Sequence, residues 1–269
     1  MLLSRFFTSQ GMDDHPELYL FKWPHLLYIL LAIILFFVLM KLFRNRSLRT
    51  RKIFVTICCL TMLILKYAGE ALFIWEWSHY GDQLSSFSHP FLDFRTLISF
   101  QLCGVNNVLL PLVIWFDWKR MKDFLYSTSI IGGLAVILYP VGVLYGDPFY
   151  FTFPILRSLV VHFLLVFLPC FLMATGEFRL EGRNWANTFI GALLMTAWAM
   201  FGNLVVDPGA NNMYLMENPF LGGPVPLLNV LPHGYHMFVL ATLVFLAFLL
   251  VYWIAGIYFR HRDRKGLRS

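Results

Sequence analysis

The sequence predicts an all-α protein, a polytopic transmembrane bundle of seven helices. Three observations carry this reading. Of 269 residues, 59% are hydrophobic and only 13% are charged, a balance outside the range of soluble domains. Several nearly charge-free runs reach about 20 residues, enough to cross a ~30 Å hydrocarbon core. The basic residues gather in short links between those runs, where a membrane protein keeps its orientation signals. A β-barrel would show short alternating segments instead.

The runs place helices at about 24–43, 53–75, 95–116, 124–145, 155–175, 185–206 and 236–259. Pro24 suits the first turn of the first helix, and Pro154 sits just before the start of the fifth. Residues 1–23 lack the continuous apolar core and small-residue cleavage site of a signal peptide, so the first run is expected to stay as an anchor. Residues 1–269 are read as one integral membrane domain.

The links 44–52, 117–123 and 176–184 and the tail 260–269 hold fifteen Lys or Arg. The opposite side holds Arg5 and Lys22, with Arg95 and Arg157 at helix starts. The positive-inside rule then puts the N-terminus outside and the C-terminus in the cytoplasm. The net charge of +6 is thus an orientation signal and not a nucleic-acid surface. Arg95 and Arg157 suit snorkelling to phosphates as well as they suit substrate binding. The longest outer loop, 207–235, is dense in Pro, Gly and Asn but also aromatic. It is expected to fold over the outer mouth of the bundle. His233 and His236 are expected to face water or headgroups.

Cys58, Cys59, Cys103 and Cys170 all fall within apolar runs, so no disulfide framework is expected. Neither CxxC nor HExxH occurs, so no metal site is expected. In transmembrane helices a Cys is most often a small packing residue, which is the reading for Cys58, Cys59 and Cys170. The pair Gly132–Gly133 is read as permitting close helix packing.

Cys103 has different company. The stretch FQLCGVNNVLLP sets Gln101, Cys103, Asn106 and Asn107 inside an apolar run. Ser99, Cys103, Asn106, Asn107 and Leu110 follow the three-and-four spacing of one helix face. With a helix running inward from Arg95, Cys103 lies roughly 12 Å along it. His162 lies roughly 10 Å along the fifth helix, which also runs inward. Glu70, four residues after Lys66, and Asn203 also fall in the outer half. Ionisable groups inside a membrane face the bundle interior or a wet cavity, so these residues predict an outward-facing polar pocket.

Such parts suit acyl transfer. An imidazole takes the thiol proton and the thiolate attacks an ester carbonyl. Asn side chains or backbone amides hold the oxyanion, and a carboxylate orients the imidazole or pairs with Lys66. Structural readings stand beside these. Asn106 and Asn107 serve equally as glue between helices, and Lys66–Glu70 as a simple intrahelical pair.

At these residues the chain resembles the YwaF-like integral membrane proteins of bacteria, related to the eukaryotic transmembrane protein 164 family. The resemblance rests on KWPHLLYIL with His25, GEALFIW with Glu70, FQLC with Gln101 and Cys103, and RSLVVHFLL with Arg157 and His162. It extends to NNMYLMENP with Asn212 and Tyr214, and to LPHGYH. It implies a cysteine-dependent acyltransferase that moves a fatty acyl chain from a diacyl phospholipid to a lysophospholipid. Cys103 would be the nucleophile and His162 the base. Glu70, Gln101, Asn106, Asn107, Arg157, Asn203, Asn212 and Tyr214 would bind substrate or support the site. Membrane phospholipid would be the substrate, with no cofactor and no metal, in the bacterial cytoplasmic membrane. The competing reading is a transporter or channel for a small polar solute. Against it, the sequence shows no internal repeat. A seven-helix receptor or scaffold ranks last, because the short cytoplasmic links offer little surface for partners.

Overall fold

A computed structural model describes residues 6–7, 15–80, 98–141, 143–144, 152–223 and 225–266. Among these residues the regular structure is helical and no strand occurs. The main helices are α1 (Trp23–Phe43), α2 (Leu48–Tyr80), α3 (Leu102–Phe116), α4 (Lys119–Leu138), α5 (Phe153–Thr175), α6 (Trp185–Phe201) and α7 (Tyr235–Gly266). A π-helical turn, Gly202–Val206, prolongs α6. Six of these helices are long and apolar enough to cross a membrane, and α3, at 15 residues, is shorter.

The third helix departs most from expectation. It starts at Leu102, not near residue 95, and residues 95–97, with Arg95, lie outside the described residues. The reason is local. Ser99 Oγ accepts the Gln101 amide at 3.3 Å, a side-chain turn that competes with helix, and Gln101 is extended at φ −83°, ψ 140°. Trp198 Nε1 donates to the Ser99 carbonyl at 3.0 Å and ties this turn to α6. Cys103 therefore occupies the first turn of α3 and not a point 12 Å along a helix.

The fourth helix is displaced towards the 117–123 link. Asp117 takes the left-handed conformation at φ 53°, which reverses the chain at once, and its carboxylate accepts from Lys122. At the other end Tyr139 precedes Pro140 and leaves the helical region at φ −139°, ψ 75°, as residues before proline do. The expected end at 145 lies outside the described residues. The second and seventh helices are longer than expected, and the remaining boundaries fall close to the reading from sequence.

α4 is the central helix, packed on α5, α3 and α6. Of its apolar stretch 67% is buried, and 61% of that of α5, against 6% for α1 and 0% for α7. The central pair thus forms the interior, while α1 and α7 present their sides outward. α4 can be central although polar in part because two of its buried hydroxyls bond within it. Ser127 Oγ donates to Asp123 O at 2.6 Å and Thr128 Oγ1 to Phe124 O at 2.7 Å. Its neighbours come close because Gly132 and Gly133 carry no side chain. Phe36, Phe54, Phe167 and Phe171 pack edge to face around the inner core.

Histidines fasten the periphery. His25 is fully buried, its Nδ1 accepting from the Phe21 amide at 3.1 Å and its Nε2 donating to Ile137 O at 2.9 Å. This ring pins the start of α1 to the end of α4.

Candidate active site

Cys103 and His162 line one small cavity, of about 190 Å³, with Lys66, Glu70, Asn107 and Arg157. Three helices bring them together. α2 supplies the charged pair, α3 the Cys and Asn, and α5 the Arg and His. α4 sets the spacing from behind. A Cβ at Gly132 would come within 3.0 Å of Cys103 Sγ, and one at Gly133 within 2.8 Å of the His162 carbonyl oxygen. The two glycines therefore seat α3 and α5 at the depth where the thiol and the imidazole reach the same space.

His162 Nδ1 lies 2.7 Å from the Ser158 carbonyl oxygen, with Ser158 Oγ at 3.2 Å. A carbonyl only accepts, so Nδ1 carries the proton and Nε2 keeps its lone pair. Its own helix thus fixes the ring and leaves Nε2 able to accept a proton. The sequence reading gave this orienting role to Glu70 as one option. Glu70 instead accepts from Lys66 at 2.7 Å. Ser158 was missed; its signal was the four-residue spacing to His162.

Cys103 sits in the first turn of α3, where backbone N–H groups have no acceptor within the helix. That end carries the positive pole of the helix dipole, which favours a thiolate or an oxyanion beside it. The first-turn amides of α3 can therefore serve as oxyanion donors, as can the Asn107 side chain. Asn107, one turn on, also lines the cavity, and its buried Oδ1 has no hydrogen-bond partner. Asn106 faces away, its Nδ2 donating to Thr128 Oγ1 on α4 at 3.0 Å. Consecutive residues on a helix point about 100° apart, and here Asn107 meets the cavity while Asn106 meets α4.

Arg157 reaches the cavity over Gly69. A Cβ at Gly69 would lie 1.5 Å from Arg157 Nη1, so only glycine leaves room for the guanidinium. Among the described residues no carboxylate lies within ion-pair distance of Arg157.

The remaining sequence candidates do not line this cavity. Gln101, Asn203, Asn212 and Tyr214 build a cover beside it. Gln101 Oε1 accepts from the Met213 amide at 3.0 Å. Asn203, buried in the π-helical turn, accepts from Asn212 N and Nδ2 at 2.7 Å each and donates to Asn212 O at 3.2 Å. The Tyr214 carbonyl accepts from His236 Nε2 at 2.8 Å. Met213 and Tyr214 both sit at positive φ, 54° and 58°, uncommon for residues with a Cβ and held here by these three clamps. Partial burial, and secondarily the nearness of Cys103, push the Tyr214 phenol above its ordinary value.

His236 is fully buried and bonded at both nitrogens, and His233 Nδ1 accepts the Asn218 amide at 2.9 Å. The expectation that these histidines face water or headgroups is overturned for His236, while His233 is exposed as expected and also bonds the loop. Without a helical ladder, the loop backbone needs side-chain partners, and these rings supply them.

A sequence profile of the TMEM164 family matches residues 20–252. The chain belongs to the TMEM164 family. The match spans all seven main helices up to the middle of the last, and with them the cavity and its cover. No curated protein and no solved structure matches the chain. Family membership and six long apolar helices together make this an integral membrane protein.

Proposed function

We propose that this member of the TMEM164 family is a membrane-embedded acyltransferase. It moves a fatty acyl chain from a glycerophospholipid, through a thioester on Cys103, to a lysophospholipid or similar acceptor. The observation that carries the reading is the shared cavity of Cys103 and His162, with His162 Nε2 left free of its own helix by the Nδ1–Ser158 bond.

The chemistry balances within that cavity. His162 Nε2 takes the Cys103 proton, and the thiolate attacks the ester carbonyl carbon. The first-turn amides of α3 hold the oxyanion. The tetrahedral centre collapses, the C–O bond breaks, and the leaving alkoxide takes the proton from His162. The products are the Cys103 thioester and a lysophospholipid. In the second half His162 deprotonates the acceptor hydroxyl, which attacks the thioester. The new ester forms and Cys103 regains its proton. Arg157, with no carboxylate partner among the described residues, suits the lipid phosphate, and a guanidinium grips such an anion with two parallel donors. Glu70 neutralises Lys66 beside it, and Asn107 offers its side-chain amide to the headgroup or the ester.

In this reading the chain crosses the bilayer seven times, with α3 as the short crossing. The N-terminus is outside and the C-terminus in the cytoplasm, as the basic links favour. The cavity lies in the outer half of what is, by the YwaF-like resemblance, a bacterial cytoplasmic membrane.

Intact-protein mass spectrometry after incubation with defined phospholipid tests the reading. The expected result is a hydroxylamine-sensitive gain of one acyl group, absent in Cys103→Ser and slowed in His162→Ala. A wild type that never acquires the adduct overturns it. A solute transporter using the same cavity would tolerate Cys103→Ser.

A further inference from the structure

A second, larger space lies next to the reactive cavity. It is a groove of about 770 Å³ between α3, α4 and α6, lined mostly by apolar side chains. Its outer end is framed by Ser99 and Trp198, and its inner end by Met121, Arg120 and Asn187. From Asn187 to Trp198 it follows α6 for eleven residues, about 16 Å at the helical rise. Its flank on α6 includes Ile190 and Leu194, 55% and 67% exposed, so it opens sideways into the hydrocarbon.

The two spaces meet at one residue. Gly104, next to Cys103, lines both. A Cβ there would lie 1.9 Å from Ser99 Oγ, so glycine keeps the partition to a bare backbone. The reactive cavity, at about 190 Å³, is below the ~300–1,000 Å³ of pockets that enclose a whole small ligand. An ester and its polar neighbours fit there, and a long tail must lie elsewhere.

We infer that the α3–α4–α6 groove holds the fatty acyl chain of the ester presented to Cys103. The inference rests on the acyl-transfer reading and names where its substrate's tail lies. The chain enters sideways past Ile190 and Leu194, with its carbonyl at the Gly104 partition and its methyl end directed towards Met121. Arg120 and Asn187 close the apolar run. A chain longer than the groove would have to desolvate these polar groups without replacing their hydrogen bonds, which is unfavourable. The groove therefore also limits acyl length.

Photolabelling tests this without any turnover. The Cys103→Ser protein is placed in lipid vesicles with a phosphatidylcholine bearing a diazirine at the end of one acyl chain. A second lipid carries the diazirine beside the ester. End-labelled lipid is expected to mark Met121, Phe124 and Ile190, and ester-labelled lipid to mark Ser99 and Trp198. Adding Val108→Trp fills the middle of the groove and is expected to abolish the end-labelled groove adducts. Adducts on α1 and α7 must persist, which shows that the protein is still folded and inserted. Labelling spread evenly over α1, α7 and the groove overturns the inference, as does groove labelling indifferent to Val108→Trp. A wild-type thioester without groove labelling removes the groove and keeps the chemistry. Groove labelling without a thioester keeps the tail site and removes the chemistry.

Discussion

Gly132 of α4 lies directly behind Cys103, close enough that a Cβ would reach 3.0 Å from the thiol sulfur. Gly133 stands in the same relation to the backbone of His162 at 2.8 Å, with Val166 Cγ2 at 2.7 Å. The first neighbour is the tip of a movable side chain. The second is main chain, which cannot yield without moving α5. Gly132→Ala is therefore expected to cost little stability and to shift the thiol. Gly133→Ala is expected to destabilise by about 1–3 kcal/mol, the usual cost of overpacking. Thermal unfolding in detergent checks the order, and a Gly132→Ala protein as unstable as Gly133→Ala would contradict it.

Gly69 and Arg157 offer a test that leaves the arginine in place. Gly69→Ala puts a methyl where the guanidinium lies and is expected to weaken phospholipid binding as Arg157→Gln does. Each should lose about 10- to 100-fold in apparent affinity if a charge-assisted hydrogen bond worth ~1.5–3 kcal/mol is lost. Titration with a non-hydrolysable diether phospholipid, read by tryptophan fluorescence, measures this. Unchanged binding in both variants would remove Arg157 from the substrate site.

Asn203 is the main clamp on the loop at residues 211–217. Asn203→Ala removes three hydrogen bonds to Asn212 and leaves Met213 and Tyr214 at positive φ with less to hold them. Hydrogen exchange at residues 211–217 is expected to speed up while exchange in α4 and α5 stays slow. Exchange accelerated equally throughout would mean that Asn203 supports the whole fold and not the loop.

His25 carries part of the family resemblance, yet it does not line the cavity and both its ring nitrogens are bonded. His25→Phe leaves the Ile137 carbonyl and the Phe21 amide without partners, at about 1–3 kcal/mol each where buried. The melting temperature is expected to fall while acylation per folded molecule is unchanged. A selective loss of acylation would assign His25 a role at the site.

What the sequence determined by itself is the membrane character, the approximate place of each helix, and the residue types that converge. Apolar runs of bilayer length and the clustering of basic links are one-dimensional facts, legible because the bilayer imposes a length and a charge rule on any chain. The presence of Cys103 and His162 at one level was also legible, though for a partly mistaken reason. The helix expected from Arg95 begins at Leu102, and the thiol reaches the cavity at a helix N-terminus. Only the tertiary structure decided the rest. Of eight supporting candidates, three line the cavity, and Gln101, Asn203, Asn212 and Tyr214 instead hold a loop. Asn106 turns to α4. The physical reason is that polar side chains in a membrane protein have three outlets, a wet cavity, an orphan backbone group or another polar side chain. Which one each takes depends on the neighbours that packing supplies. Glycine carries the same lesson: at Gly69, Gly132 and Gly133 its role is the space it leaves, and only the approach of another helix shows what fills it.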